Sequence, residues 1–387
     1  MKTIYIEGLG LVDGHFSGIG QYILGILKGL DEQIEQRKFN GETPPEIKVL
    51  ITRDTITRFR SFGLKHIGYR TFPFTFRTMS GLWHRRKMPP IDLWFGPGTY
   101  IFPRFVNMPL LFSKSALVIY DLSFELHRQY SDEGNARFLA TQVKKSLAST
   151  NKVITISQNA KAEIERFYNL NGNDVIVATP ATDPRLFYRR SEEEINKAKL
   201  KYEIKGNYIL ALSNLEPRKN LDSLVEAYCR LPETYRKDTA LLLVGVSGWK
   251  TDKLFSKIIE KVEQGYNIIR PAQYVLDEDK PAIISGAKML VYPSHYEGFG
   301  MPPLEALACG VPVITSDNSS LPEVVGGVGQ MVDSTDIAGL RSAILQYLKN
   351  STTVTARTVV TGPKKATEFS WKDSAQIFLD VAGGLEK

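Results

Sequence analysis

MLVYPSHYEGFGMPPLEALACGVPVITS, residues Met289 to Ser316, reads as strand, glycine-broken loop, short helix and strand. Met289–Pro293 is an apolar run closed by proline, and Val311–Thr315 is a second run rich in β-branched residues. Between them, Pro302 and Pro303 fall where proline is tolerated, in the first turn of a helix, and Gly310 falls where a helix stops. Gly298 and Gly300 stand just ahead of that helix, so the backbone there can approach a ligand closely. A helix N-terminus adds unpaired N–H donors and the positive end of a dipole. The pattern is that of a phosphate site. Glu297 enters the loop and Glu305 lies in the first turns of the helix, with seven residues between them, so both can face one ligand. Two glutamates alone would read first as solvated charges at the ends of a βαβ unit. The intervening GFGMPPLEALACGVPV favours the site, because each residue type in it has a place in a phosphate loop.

This spacing and its setting resemble the donor-sugar motif of glycosyltransferase family 4, a retaining family with the GT-B fold. The resemblance implies that Glu297 contacts hydroxyls of the donor sugar and that Glu305 binds the nucleotide ribose. It implies that the backbone amides of Phe299, Gly300 and Met301 hold the diphosphate. It also implies an α/β architecture of two Rossmann-like domains, with parallel sheets facing across a cleft.

The whole chain fits that frame. At 387 residues it has room for two domains of ordinary size. Hydrophobic content of 43% and charged content of 24% are those of a soluble globular protein. No apolar run reaches the eighteen or so residues that span a bilayer. MKTIYIEGLG reads as a strand, since Glu7 interrupts what a signal peptide would keep apolar. Cys229 and Cys309 are the only cysteines, and neither has a metal-ligand partner at short spacing; a reducing compartment, the cytoplasm, is the expectation.

The net charge of +7 is local. Residues 55–91 hold no acid but eight bases, Arg58, Arg60, Lys65, Arg70, Arg77, Arg85, Arg86 and Lys87, which leaves the rest of the chain near −1. Aromatics are interleaved with them: Phe59, Phe62, Tyr69, Phe72, Phe74, Phe76 and Trp83. Such a mixture suits nucleic acid, an anionic membrane surface or an anionic lipid-linked substrate. Alternation at Tyr69-Arg70-Thr71-Phe72 equally fits strand faces whose aromatics are core.

Strand and helix signals alternate throughout, as in α/β proteins with parallel sheets. Thr3–Ile6 is a first strand, and Ile19, Ile23, Ile26, Leu27 and Leu30 form a helical stripe. Gly8 and Gly10 tempt a dinucleotide reading, but no third glycine follows at the required place. The Ser17-Gly18-Ile19-Gly20 turn is more like the glycine-rich turn by which GT-B first domains approach donor phosphates or acceptor. Further strands are expected at Ile47–Thr52, Ile91–Phe95, Ala116–Tyr120, Lys152–Ile156 and Asp174–Thr179. Pro180–Arg190 is loop-like and Ser191–Glu194 caps a helix, so the domains are placed at 1–190 and 191–370. FSWKDSAQIFLDVA resembles the final GT-B helix, 371–387, that returns to complete the first domain.

The second domain restarts at Tyr208–Leu212, followed by SNLEPRKNL. Adjacent Arg218 and Lys219 after a strand suit a diphosphate, although alone they also fit a solvated turn. The family carries a basic pair here that grips the donor phosphates, which implies that role for Arg218 and Lys219. After strand Thr239–Val246, GVSGWKT misses a P-loop because Trp249 stands where glycine must precede the lysine. Asp277-Glu278-Asp279 spells D-x-D, yet it lies where acids stabilise a helix start, and that account is preferred to a metal site. Ser319-Ser320-Leu321-Pro322-Glu323 resembles the family's turn near the donor nucleotide. A last short strand follows Gly329, with helices at Ile337–Leu348 and Ala375–Val381.

In VIYDLSF, Asp121 follows a buried-looking strand. Family members often have His-Asp there, and Tyr120 in place of the histidine puts an imidazole role in doubt. Asp121 either positions sugar or acceptor or caps the turn. His127, six residues on, does not inherit the role.

Together these implications describe a transferase that moves a hexose, with mannose expected, from GDP-mannose or a UDP-hexose to a glycan or lipid-linked glycan of a cell-surface polysaccharide. Its expected catalytic set is Glu297, Asp121, Arg218 and Lys219. Its donor set is Gly18, Gly20, Arg218, Lys219, Glu297, Phe299, Gly300, Met301 and Glu305. Neither metal nor cofactor is expected, because fixed cations and amides can stabilise the leaving diphosphate. Retention by front-side attack and by a covalent intermediate both remain open. Partners are the nucleotide sugar, the acceptor glycan and an anionic membrane surface, with no nucleic acid, and the place of work is the cytoplasmic leaflet. The alternatives are a GT-B epimerase or hydrolase and a non-enzymatic nucleotide-sugar or nucleic-acid binding protein. The first would need further acid–base groups aimed at the sugar, and the second would not need the full donor motif.

Overall fold

A computed structural model describes residues 2–11, 18–75, 78 and 89–386. The chain forms two compact units. One comprises Met1–Leu126, Glu133–Pro180 and Ser370–Lys387; the other comprises His127–Asp132 and Ala181–Phe369. The main division thus falls at Pro180, ahead of the 190 expected from sequence.

The first unit is built on seven parallel strands: β1 (Ile4–Glu7), β2 (Ile47–Ile51), β3 (Gly68–Thr71), β4 (Thr99–Phe102), β5 (Lys114–Val118), β6 (Lys152–Thr155) and β7 (Val175–Val177). They lie in the order β3-β2-β1-β4-β5-β6-β7. Runs such as IYIE and TYIF are buried along their whole length, as strands covered on both faces must be. Aromatics Tyr69 and Phe72 take the core-side reading: Phe72 is fully buried and Tyr69 packs edge-on to Phe59.

One expected strand is not there. Ile91–Phe95 carries a helical turn, Asp92–Phe95, ended by Gly96 at φ +93°. The buried Asp92 carboxylate accepts the N–H groups of Leu111, Phe112 and Ser113 at 3.0–3.1 Å, which pulls this segment out of the sheet. The strand beside β1 is TYIF, bracketed by Gly98 and Pro103, which the sequence reading passed over.

The helix Trp371–Glu386 lies on the helix Gly18–Phe39 of the first unit. Gly25 and Gly29 face Trp371, and a Cβ at either would run into its ring or its carbonyl. Tyr22 meets the same indole edge-on, and Ser374 Oγ donates to the Thr179 carbonyl at 2.6 Å.

The second unit holds six parallel strands: β8 (Asn207–Leu212), β9 (Thr239–Val244), β10 (Ile268–Ile269), β11 (Met289–Tyr292), β12 (Val313–Ser316) and β13 (Gln330–Val332). Their order is β10-β9-β8-β11-β12-β13. The chain moves outward from β8 to β10 and then returns to add β11 on the other side of β8. Loops at the carboxyl ends of β8 and β11 therefore diverge, and in such sheets that crevice is where ligands bind.

Candidate functional site

The two loops at this crevice are residues 213–220, after β8, and residues 293–300, after β11. Asn220 stitches them together. It sits in the left-handed region at φ +55°, and its Nδ2 donates to the Pro293 and Ser334 carbonyls at 3.0 and 2.7 Å. The His295 N–H donates to the Arg218 carbonyl at 2.9 Å.

This stitching brings Arg218, Lys219 and Glu297 into one buried cluster. Arg218 Nη1 lies 2.9 Å from Glu297 Oε2, and Lys219 Nζ lies 2.7 Å from Glu297 Oε1. Arg218 Nη2 pairs with Glu216 at 2.7 Å, and its Nη1 also donates to the Tyr296 carbonyl at 2.8 Å. Lys219 Nζ donates to the Tyr292 hydroxyl at 2.8 Å. Burial raises the Glu297 carboxyl, but the Arg218 and Lys219 charges outweigh burial and hold it at about 2. Burial and the neighbouring guanidinium draw Lys219 below its ordinary value, with Glu297 and Glu216 opposing them. Two cations thus face two carboxylates out of water, where unbalanced charge is costly.

Beside the cluster begins the helix Met301–Ala308, with Gly300 at its N-cap and φ +118°. Pro302 and Pro303 lack N–H groups, so the orphan donors of this first turn are those of Gly300 and Met301. The Phe299 side chain is a core anchor, edge-on to Phe369 at 5.3 Å. Ser320 Oγ donates to the Glu297 and Phe299 carbonyls at 2.9 and 2.7 Å, and Ser319 Oγ accepts the Glu297 N–H at 2.9 Å. The loop is therefore held from both sides by side-chain bonds rather than by a strand ladder.

Glu305, one turn further on, is buried, and no group of the described residues hydrogen-bonds its carboxyl. Burial raises it to about 7, with Lys280 opposing the shift and Asp277 adding to it. The D-x-D run does not cap by its side chains: Asp279 takes bonds from Lys201 Nζ and the Tyr202 hydroxyl, both at 2.6 Å, and Asp277 pairs with Lys280. No cluster of three metal-ligating side chains occurs among the described residues.

Other sequence expectations fall elsewhere. Gly18 and Gly20 lie in the first turn of the helix Gly18–Phe39, and Ser17 is outside the described residues. Asp121 Oδ1 accepts the Ser123 N–H at 2.8 Å, the turn-capping alternative. Tyr120 is a core residue: its hydroxyl donates to the Pro103 carbonyl at 2.8 Å and its ring meets Tyr22 edge-on. The glycines of GVSGWKT serve close packing, since a Cβ at Gly245 would strike the Ser213 carbonyl. Sequence reasoning missed Glu216 and Tyr292 as parts of the cluster, and it set Ser319 and Ser320 near the donor nucleotide without linking them to Glu297. Glu216 was legible as the acid two residues before Arg218; the others depend on which strands become neighbours.

Residues 192–360, which hold Arg218, Lys219, Glu297 and Glu305, match the family described as Glycosyl transferases group 1. Over 369 residues the chain is 31% identical to the O-antigen chain mannosyltransferase B of Escherichia coli, covering 92% of this chain and 93% of that protein. The chain belongs to the group 1 glycosyl transferases. A second relative of this group 1 glycosyl transferase, the serotype-specific mannosyltransferase WbdA of Escherichia coli, is 26% identical over 69% of the chain, which spans only 33% of that longer protein. Among solved structures, sucrose-phosphate synthase from Thermosynechococcus elongatus superposes with a TM-score of 0.73 at 18% identity, covering 100% of this chain and 99% of that one. That likeness gives the fold, GT-B. For a group 1 glycosyl transferase the cluster lies within the matched region, while Gly18, Gly20 and Asp121 lie outside it.

Proposed function

We propose that this glycosyltransferase is a retaining enzyme that moves mannose from GDP-mannose to a glycan or lipid-linked glycan during synthesis of a cell-surface polysaccharide. The observation that carries the reading is the buried Arg218–Lys219–Glu297 cluster at the switch point, next to the orphan amides of Gly300 and Met301. Two fixed cations and two amides suit a diphosphate, whose negative charge grows as the sugar leaves. Glu297 now pairs with both cations. When the diphosphate takes its place beside them, the Glu297 carboxylate is released to accept hydrogen bonds from sugar hydroxyls. Glu305, whose carboxyl has no hydrogen-bond partner among the described residues, takes the ribose hydroxyls. In the transfer, the bond from anomeric carbon to phosphate oxygen breaks, the bond from anomeric carbon to acceptor oxygen forms, and the acceptor proton passes to the departing diphosphate. The fixed cations supply the charge stabilisation that a metal gives elsewhere. Mannose as the sugar rests on the name of the relative that spans nearly the whole chain.

The same reading places the enzyme at the cytoplasmic leaflet. Its support is an apolar surface on the first unit. Phe74 and Trp94 are exposed and in ring contact at 6.3 Å, and the Asp92 bonds bring Leu111 and Phe112, 67% and 55% exposed, next to Leu93 and Trp94. The bases Arg77, Arg85, Arg86 and Lys87 belong by sequence to the stretch between Phe74 and Trp94 and lie outside the described residues. Exposed apolar side chains in a stretch whose sequence carries unbalanced positive charge suit anionic lipid. No helix among the described residues is long and apolar enough to cross a membrane.

A thermal-shift screen across nucleotide sugars tests the donor, because a ligand bound only by the folded chain raises its apparent stability. GDP and GDP-mannose are expected to stabilise. Stabilisation by UDP alone would replace the donor with a UDP-hexose.

A further inference from the structure

Six residues from the first half of the sequence, His127–Asp132, fold with the second unit, although the chain on either side of them belongs to the first. Two of their rings pack on two residues of the second unit. The His127 imidazole lies over the Tyr296 ring, with centroids 4.4 Å apart and planes tilted by 36°. The Tyr130 ring stacks on the His295 imidazole at 4.9 Å and 9°. Trp249 Nε1 donates to the Tyr130 carbonyl at 3.0 Å, so the loop after β9 holds this strap in place as well.

His295 and Tyr296 are the two residues before Glu297, and their main chain is what Arg218 binds. The His295 N–H donates to the Arg218 carbonyl, and Arg218 Nη1 donates to the Tyr296 carbonyl. The segment has no strand partner of its own after Tyr292. Its position is set by Asn220 and Arg218, by Ser319 and Ser320, and by the two rings packed on it, one tilted and one stacked.

We propose that His127 and Tyr130 are positioning residues of the donor site, holding His295 and Tyr296 by stacking so that Glu297 and Arg218 keep the geometry that receives the diphosphate. This rests on the donor reading given above. Neither ring acts on the substrate. Each acts through the residue it covers, and a misplacement of about 1 Å in such a loop is enough to cost roughly a hundredfold in rate. Stacking requires a planar ring but not a particular heteroatom, and the Tyr130 hydroxyl takes no part in it.

The test compares His127→Ala, Tyr130→Ala and Tyr130→Leu with His127→Phe and Tyr130→Phe. The readouts are the melting temperature of each unliganded protein and the affinity for GDP and for UDP from ligand-dependent melting. The alanine and leucine variants are expected to bind the nucleotide that stabilises wild type roughly tenfold more weakly, while the phenylalanine variants match wild type. Trp249→Phe, which removes only the bond to the strap, is expected to lie between them. Alanine and leucine variants that melt lower but bind with wild-type affinity would reduce the strap to structural packing and overturn the proposal. So would phenylalanine variants as impaired as alanine. If neither nucleotide stabilises wild type, the donor reading falls first and takes the strap's role with it.

Discussion

Glu297 and Glu305 are both buried, stand eight positions apart and carry opposite pKa shifts. The difference lies in their neighbours: two cations within 2.9 Å for Glu297, and for Glu305 a lysine that is already paired with Asp277. The consequences for stability have opposite signs. Glu297 titrates at about 2 against an ordinary 4.5, so its contribution is full above pH 4.5 and lost as pH falls towards 2. Glu305 titrates at about 7, so the folded chain keeps a proton that the unfolded chain has released, and stability falls as pH rises from 4.5 through 7. Glu305→Gln removes that fall. Denaturant titrations at about pH 5 and about pH 8 are expected to show wild type losing on the order of 3 kcal/mol relative to the variant. Equal pH dependence would mean that Glu305 is ionised in the folded protein. At this scale the sequence was most informative about residue types and least about pairing. Arg218, Lys219, Glu297 and Glu305 were singled out through their resemblance to the family's donor motif, with the glycine-broken helix start beside the glutamates. That Glu297 pairs with both cations was not legible, since it depends on β8 and β11 becoming neighbours. Nor could Tyr120 be read as a core residue until Tyr22 and Pro103 were seen around it.

The helix Met301–Ala308 starts abruptly because Gly300 adopts φ +118°, a conformation costly for any residue with a Cβ. A Cβ there would also meet Leu321 Cδ2 at 2.8 Å. Gly300→Ala is expected to destabilise the protein by about 2 kcal/mol and to abolish stabilisation by nucleotide, because the turn that aims the Gly300 and Met301 amides is lost. A variant that still gains full stability from nucleotide would show that these amides are not used. The elements around this helix were legible where period and breakers agreed, as in Met289–Tyr292 and Val313–Ser316. They were not where a tertiary bond or partner overrode the local pattern. Ile91–Phe95 reads as a strand but is withdrawn by the bonds to Asp92. Ser351–Ala366 is rich in threonine and valine and contains Pro363, so nothing marks it as helix; it forms against Met301–Ala308, where Gly362 comes close to the Leu307 carbonyl.

For the molecule as a whole, the excess positive charge lies in sequence within residues 55–91, and the exposed apolar residues Phe74, Leu93, Trp94, Leu111 and Phe112 belong to the first unit. Each base near an anionic bilayer contributes on the order of 1 kcal/mol, so half of the eight would suffice for reversible attachment. Wild type is expected to sediment with anionic vesicles at low salt and to be released at high salt. Trp94→Ser combined with Leu111→Ser and Phe112→Ser should weaken binding at either salt, and Arg85, Arg86 and Lys87 changed together to Glu should weaken it most at low salt. Failure of wild type to bind would remove the membrane from the account. The two-unit α/β plan was legible from the restart of strand–helix alternation at Tyr208, whereas the capture of His127–Asp132 by the second unit had no local signal. The central claim is that Arg218 and Lys219 hold the diphosphate of a nucleotide sugar while its hexose is transferred. It is tested most directly by acceptor-dependent release of nucleoside diphosphate from GDP-mannose and UDP-hexoses, in EDTA, with wild type and Arg218→Ala. Release by wild type that requires acceptor and falls roughly a hundredfold or more in the variant is the expected result; release at the same rate by both proteins, or only after metal is restored, would contradict it.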